Sequence, residues 1–169
     1  RKNQLSAIRA LSELPEEVHL VIVGHPHGGY QRDLNSEIRR RKLAARVHII
    51  SNADFGDFPA LYANAIASVY VSRFEGFGIP ILESMCCDTP VVTSNISSMP
   101  EAGGEAALYA SPDKPDEIAA QLNKIIADPQ LRSQLVELGR KQRQQFTQQK
   151  IIADFYSLYT ELCPPKEED

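Results

Sequence analysis

Cysteine is scarce in this 169-residue chain, and the three that occur, Cys86, Cys87 and Cys163, form no disulfide framework. Two are adjacent and the third stands near the tail, which argues for a reducing, cytoplasmic setting rather than a disulfide-stapled scaffold. No run approaches the roughly 18 consecutive apolar residues of a membrane span, and none reads as a signal peptide. Positive charge is not in excess: 18 Lys and Arg stand against 22 Asp and Glu, a formal net charge of −4. A nucleic-acid backbone is therefore not the expected partner. Repeats and low-complexity linkers are also missing, so residues 1–163 read as one domain followed by a polar tail at 164–169. A chain of this length can bury a core of its own.

What is present is organised around residues 72–85. The apolar run at 67–71 reads as a buried strand, Gly76 and Gly78 break the chain, and Pro80 opens a helix. Proline suits the first helical turn because its missing N–H would be unpaired there anyway. The backbone amides from Phe77 to Ile81 are then expected to point outward as an anion cradle. Glu75 precedes the loop and Glu83 lies about one turn into the helix, so both can border one cleft at the carboxyl end of the strand. An ionised carboxylate offers two acceptor oxygens, which suits a vicinal diol such as a ribose.

These residues closely resemble the E-x7-E signature of the group 1 (family four) retaining glycosyltransferases. Glu75 is followed by Gly76-Phe77-Gly78-Ile79-Pro80 and Glu83, with Ser72 before and Met85 after. Thr89-Pro90-Val91-Val92, Ser98-Met99-Pro100-Glu101 and Gly104 extend the likeness, which is strong from residue 65 to 112. The resemblance implies the C-terminal, donor-binding half of a GT-B enzyme that transfers a hexosyl unit from a UDP-, GDP- or ADP-sugar to a glycan, lipid or small molecule. It implies Glu75 as the catalytic-site carboxylate on sugar hydroxyls, Glu83 on the ribose diol, and the Gly76, Phe77, Gly78 and Ile79 backbone on the diphosphate and sugar. Lys2 matches a lysine that grips the diphosphate, and Ser51 and Asn52 match a loop lying against the base. No cofactor or divalent metal is required. The acceptor is expected on a missing N-terminal domain, through which the protein would attach peripherally to the inner face of a membrane. The family also places a strand ending in Gly-Arg just before the Lys2 helix. The chain is accordingly expected to be a piece of a longer protein whose sheet, of order 3-2-1-4-5-6, lacks its first strand, leaving a gap or an exposed edge.

The rest of the pattern alternates strands with helices, the mark of a Rossmann-like α/β fold in which helices flank a parallel sheet. Leu5, Ile8, Leu11 and Leu14 open a helix. Residues 19–24 read as a strand buried on both faces, and Val47 to Ile50 as another. His25 and His27 lack a third ligand, so a solvated turn is preferred to a metal site. Arg39, Arg40, Arg41 and Lys42 are read as complementing a helix C-terminus, with phosphate or acceptor binding second. Residues 57–65 should form a helix burying Leu61, Tyr62 and Ala65. Met85, Cys86 and Cys87 are read as packing residues, and Asp88, where the family has glycine, as a costlier helix stop. Ser98 and Glu101 have capping-box spacing. Helices are expected from Pro115 and Pro129, and one at residues 148–162 whose apolar stripe would pack on a core or on a lost partner. Two other classes fit the residues less well: an epimerase or hydrolase of the same architecture, and a noncatalytic nucleotide-binding or interaction module.

Overall fold

The computed structural model describes residues 1–24 and 28–163, so the His25 and His27 reading and the 164–169 tail lie outside the described residues. Helix α1 (Gln4–Leu11) is followed by β1 (Leu20–Val23), α2 (Gly29–Arg40), β2 (Val47–Ile50), α3 (Phe58–Ala63), β3 (Ser68–Tyr70) and α4 (Ile79–Cys86). Then come β4 (Val91–Ser94), α5 (Met99–Gly103), β5 (Ala107–Ala110), α6 (Pro115–Ala127), α7 (Pro129–Gln142) and α8 (Gln148–Leu162). Strands β1 and β2 pair in parallel, as do β3, β4 and β5. Parallel neighbours need a crossover between them, and the intervening helices supply it.

The two groups of strands share no ladder hydrogen bonds among the described residues. A cleft of about 1110 Å³ separates them, lined by Leu20 to Val23 on one side and Ser68 to Val71 on the other. This is the gap expected of a sheet without its first strand. It also overturns two readings of burial. Val21 of β1 is 46% exposed: among the described residues β1 has a strand neighbour, β2, on one side only, and Val21 lines the cleft. In α3, likewise, Leu61 and Tyr62 are only half-buried, and Ala65 just beyond the helix is exposed.

One core nevertheless runs beneath both groups. Ile22 and Val47 belong to the same cluster as Val71 and Val92, joined through Ile8 and Leu11 of α1, Leu34 of α2, and Ile118 and Ile125 of α6. Each fully buried aliphatic side chain of this kind contributes about 1.5–3 kcal/mol. A second cluster of Ile81, Met85, Val91, Met99 and Ala102 seats α4 and α5 on the three-stranded group. Met85 packs as expected, but Cys86 is exposed and Cys87 half-buried.

Asn3 ties α1 to the end of β3. It takes the left-handed conformation (φ 58°) and is 3% exposed. Its amide donates to the carbonyl oxygens of Val71 (3.1 Å) and Pro112 (2.6 Å), and its Oδ1 accepts from the Ser6 hydroxyl (3.1 Å). Lys2 is thereby held beside the cleft.

Arg39 and Arg40 lie in the last turn of α2, where cations complement the helix C-terminus, and part of the basic cluster also meets a carboxylate. Arg40, Arg41 and Arg9 of α1 all donate to the nearly buried Glu37 carboxylate, Arg40 Nη2 at 2.6 Å, Arg41 Nε at 2.7 Å and Arg9 Nε at 3.0 Å. The Arg9 contact fastens α2 to α1, and Arg40 and Arg41 are engaged by a carboxylate of their own helix. The Arg40 hydrogen bonds foremost, with those from Arg41 and Arg9, outweigh burial and hold the Glu37 carboxyl down at about 2, against 4.5 ordinarily. A depressed carboxyl stabilises the fold fully above pH 4.5 and loses that contribution as pH falls toward 2. With screening around the partly exposed arginines, the contribution is about 2 kcal/mol. Urea denaturation of Glu37→Gln should show this deficit at pH 7, and it should vanish near pH 2; a deficit independent of pH would refute it.

Asp88 takes φ 56° at the end of α4 and receives Arg140 of α7 bidentately, Nε at 2.9 Å and Nη2 at 2.6 Å. The ion pair offsets part of the backbone cost foreseen for a residue other than glycine. Helix α8 carries its apolar stripe exposed: Ile152 is 59%, Phe155 56% and Tyr159 65% accessible. It therefore supplies no core here. Among the described residues no helix is long and apolar enough to cross a membrane.

Candidate functional site

The loop leaving β3 is held by hydroxyl groups from the next strand and turn. Thr93 Oγ1 donates to the Tyr70 carbonyl (2.7 Å) and Ser94 Oγ to the Ser72 carbonyl (2.6 Å). Ser97 and Ser98 both donate to the Glu75 carbonyl, at 2.9 and 3.0 Å, and Ser97 Oγ accepts from the Glu75 amide at 3.4 Å. Ser98 makes no side-chain cap bond at the start of α5, so the capping-box reading gives way to this longer-range use. The Glu75 backbone is thus fixed from outside its own loop. Its carboxylate accepts from Ser72 Oγ (3.2 Å) and faces Arg1 Nε at 3.5 Å. Burial, and then the neighbouring Glu75 carboxylate, push the Tyr70 phenol up to about 12. Tyr70 lines the cleft, so Glu75 stands next to it.

Gly78 caps α4 with φ 105°, and Pro80 sits in the first turn. The Ile81 amide donates to the Gly78 carbonyl at 2.9 Å, which removes Ile81 from the expected cradle. The amides of Gly76, Phe77, Gly78 and Ile79 make no hydrogen bond among the described residues. Phe77 packs edge-on against Phe146, 5.3 Å between ring centres, while the Ile79 side chain is 60% exposed. The two glycines differ in why they are glycine. At Gly78 a Cβ would meet Ile81 Cδ1 and Met99 Cε at 3.3 Å, on a backbone that L-residues avoid. At Gly76 it would meet open space. Gly78→Ala should therefore lower stability by about 1–3 kcal/mol. Gly76→Ala should leave the melting temperature alone yet weaken binding of any ligand seated on these amides. Thermal melts beside anion titrations check the contrast, and equal effects of the two on stability would contradict it.

Glu83 lies on the second turn of α4 and lines the cleft together with Lys2, Asn52, Tyr62 and Pro80. Its Oε2 accepts from the Tyr62 phenol at 3.1 Å. Burial first, then the Glu83 charge, push the Tyr62 phenol well above the usual tyrosine range, so it remains a donor. Asn52 lines the same cleft as Glu83 and Lys2, whereas Ser51 is half-buried outside the cleft lining. Glu75 and the amides of residues 76–79 also lie outside that lining and adjoin it through Tyr70 and Pro80. Among the described residues no three His, Cys, Asp or Glu side chains converge on a point fit for a metal ion. Chemically, the arrangement offers a carboxylate and a lysine on one cleft, with a second carboxylate and unpaired amides beside it. Arg1, Tyr62, Tyr70, Thr93 and Ser94 were not among the expected site residues, whereas residues 97–101 match a segment that closes one wall of the donor site in the resembled family. Only the hydroxyl-rich composition of residues 93–98 could have drawn attention to Thr93 and Ser94.

Known proteins share this chain's sequence and fold. Residues 1–142 match the family model of the glycosyl transferases group 1. The chain is 33% identical over 164 residues to the O-antigen chain mannosyltransferase B of Escherichia coli, covering 94% of this chain and 42% of that protein. It thus spans well under half the length of that relative. A structure of HepE from Anabaena in complex with UDP-glucose superposes with a TM-score of 0.79 at 27% identity, covering 85% of this chain and 41% of that one. The C-terminal domain of a group 1 glycosyl transferase from Francisella tularensis shares the fold, with a TM-score of 0.75 at 24% identity over 89% of this chain and 80% of that one. By motif, fold and matched length, the chain belongs to the group 1 glycosyl transferases and forms the C-terminal half of their GT-B architecture.

Proposed function

We propose that this domain binds the donor of a retaining glycosyltransferase, holding a nucleotide diphosphate sugar while a hexosyl unit passes to a glycan, lipid or small-molecule acceptor. The observation that carries the reading is that Lys2, Asn52 and Glu83 line one cleft, adjoined by Glu75 and by four amides unpaired among the described residues. Glu83 accepts the ribose hydroxyls, and Asn52, with Ser51 behind it, borders the base. Lys2 and the amides of Gly76, Phe77, Gly78 and Ile79 meet the diphosphate, where fixed donors stabilise the negative charge that develops as the sugar departs. Such donors serve a leaving group best when they are aimed in advance, and the hydroxyl ladder from Thr93 to Ser98 holds their loop in place. Glu75 takes hydroxyls of the transferred sugar. The UDP-glucose held by HepE and the mannosyl transfer of the E. coli relative support a nucleotide-linked hexose. The acceptor belongs to the N-terminal domain of the whole enzyme, and the cysteine usage favours a cytoplasmic reaction.

Calorimetric titration of the folded chain with UDP-, GDP- and ADP-sugars tests this. One nucleotide class should give weak, saturable heat, and the chain should transfer no sugar without its companion domain. Absence of heat with every nucleotide up to millimolar concentration would leave a noncatalytic interaction module as the better reading, and turnover by the chain alone would refute the division of labour.

A further inference from the structure

Helix α3 is six residues long and buries none of its own side chains, yet it forms a wall of the cleft through Phe58, Leu61 and Tyr62. Tyr62 fastens that wall at two points. Its carbonyl accepts from Thr89 Oγ1 at 2.7 Å, and its phenol donates to Glu83 Oε2 at 3.1 Å. The Thr89 anchor is itself rigid: it is 3% exposed, its amide donates to the Ser84 carbonyl, and its carbonyl accepts from the Ser84 hydroxyl, both at 3.0 Å. A glutamate with no such partner turns freely about its last bond, and its two oxygens exchange. Here Oε2 is taken by a donor mounted on a fixed backbone, which restricts that rotation, while Oε1 accepts no hydrogen bond among the described residues and Glu83 lines the cleft.

We propose that Tyr62 is a positioning residue for the ribose subsite, orienting Glu83 so that its unshared oxygen receives the sugar diol of the nucleotide. The proposal rests on the reading of Glu83 as the ribose ligand, and it goes further by naming what makes that ligand selective. If Tyr62 acts through Glu83, to which its phenol is bonded, its contribution is confined to nucleotides that carry a diol.

The test compares Tyr62→Phe, Glu83→Gln and the double variant with the unchanged chain. Each is titrated calorimetrically with the tightest of UDP, GDP and ADP, and with the 2′,3′-dideoxy form of the same nucleotide. Phenylalanine keeps the ring, and urea midpoints serve as the folding control. Tyr62→Phe should weaken the ribonucleotide about three- to tenfold, the equivalent of one hydrogen bond. It should leave the dideoxy form unchanged and add nothing to the loss already caused by Glu83→Gln. Equal losses for both nucleotides, or additive losses in the double variant, would overturn the proposal. No loss in Tyr62→Phe while Glu83→Gln still weakens binding would overturn the positioning role and spare the ribose reading. An unchanged affinity in Glu83→Gln would remove both. Urea midpoints of the same four proteins form a cycle that reads the Tyr62 to Glu83 bond without any ligand; additivity there would also count against the proposal.

Discussion

Glu83→Ala is expected to weaken nucleotide binding by roughly tenfold to several hundredfold, the largest loss of any single site residue. A hydrogen bond to an ionised acceptor is worth about 1.5–3 kcal/mol, and a diol engages one or two of them. The same substitution strands the Tyr62 phenol, half-buried with its proton held on, which adds to the loss by loosening the α3 wall. Calorimetry with the best-bound nucleotide measures the effect directly. A change below about threefold would reduce Glu83 to an ordinary helix residue near a positive dipole end.

Asn3→Ala is expected to destabilise the fold by about 3–5 kcal/mol, through losses that fall together. Two buried carbonyls, of Val71 and Pro112, lose their donor, at about 1–3 kcal/mol each. Alanine must also hold φ 58°, which costs about 1–2 kcal/mol. Asn3→Gly separates the terms, because glycine relieves the backbone but restores neither bond, and it should recover only about 1 kcal/mol. Urea denaturation followed by circular dichroism checks both variants. Full recovery in the glycine variant would show the buried hydrogen bonds to be worthless. Since Asn3 adjoins Lys2, both variants should also weaken nucleotide binding at concentrations where they remain folded.

The parts of the site that were legible in the sequence are those written by local rules. Gly78, Pro80 and the helix they open follow from backbone sterics within four residues, and the Glu75 to Glu83 spacing is a motif contained in nine. Where a local rule competed with a distant partner, the distant partner prevailed or joined in. Ser98 and Glu101 had the spacing of a capping box, yet the hydroxyl turned to the Glu75 carbonyl. At the end of α2 the local pairs of Arg40 and Arg41 with Glu37 persist, but Arg9 from another helix joins them on the same carboxylate. Tyr62 looked like a residue of a buried face, and its phenol instead reaches a carboxylate 21 positions away.

Taken alone, the sequence determined the alternation of strands and helices, the parallel pairing that such alternation requires, and the glycine loop with its two acids, because these depend on neighbours along the chain. Only the tertiary structure decided that β1 and β3 face an open cleft, that Val21 is exposed, and which hydroxyls clamp the loop. Burial and hydrogen bonding are properties of what lies across space, and a residue's own identity does not specify the group that will stand opposite it.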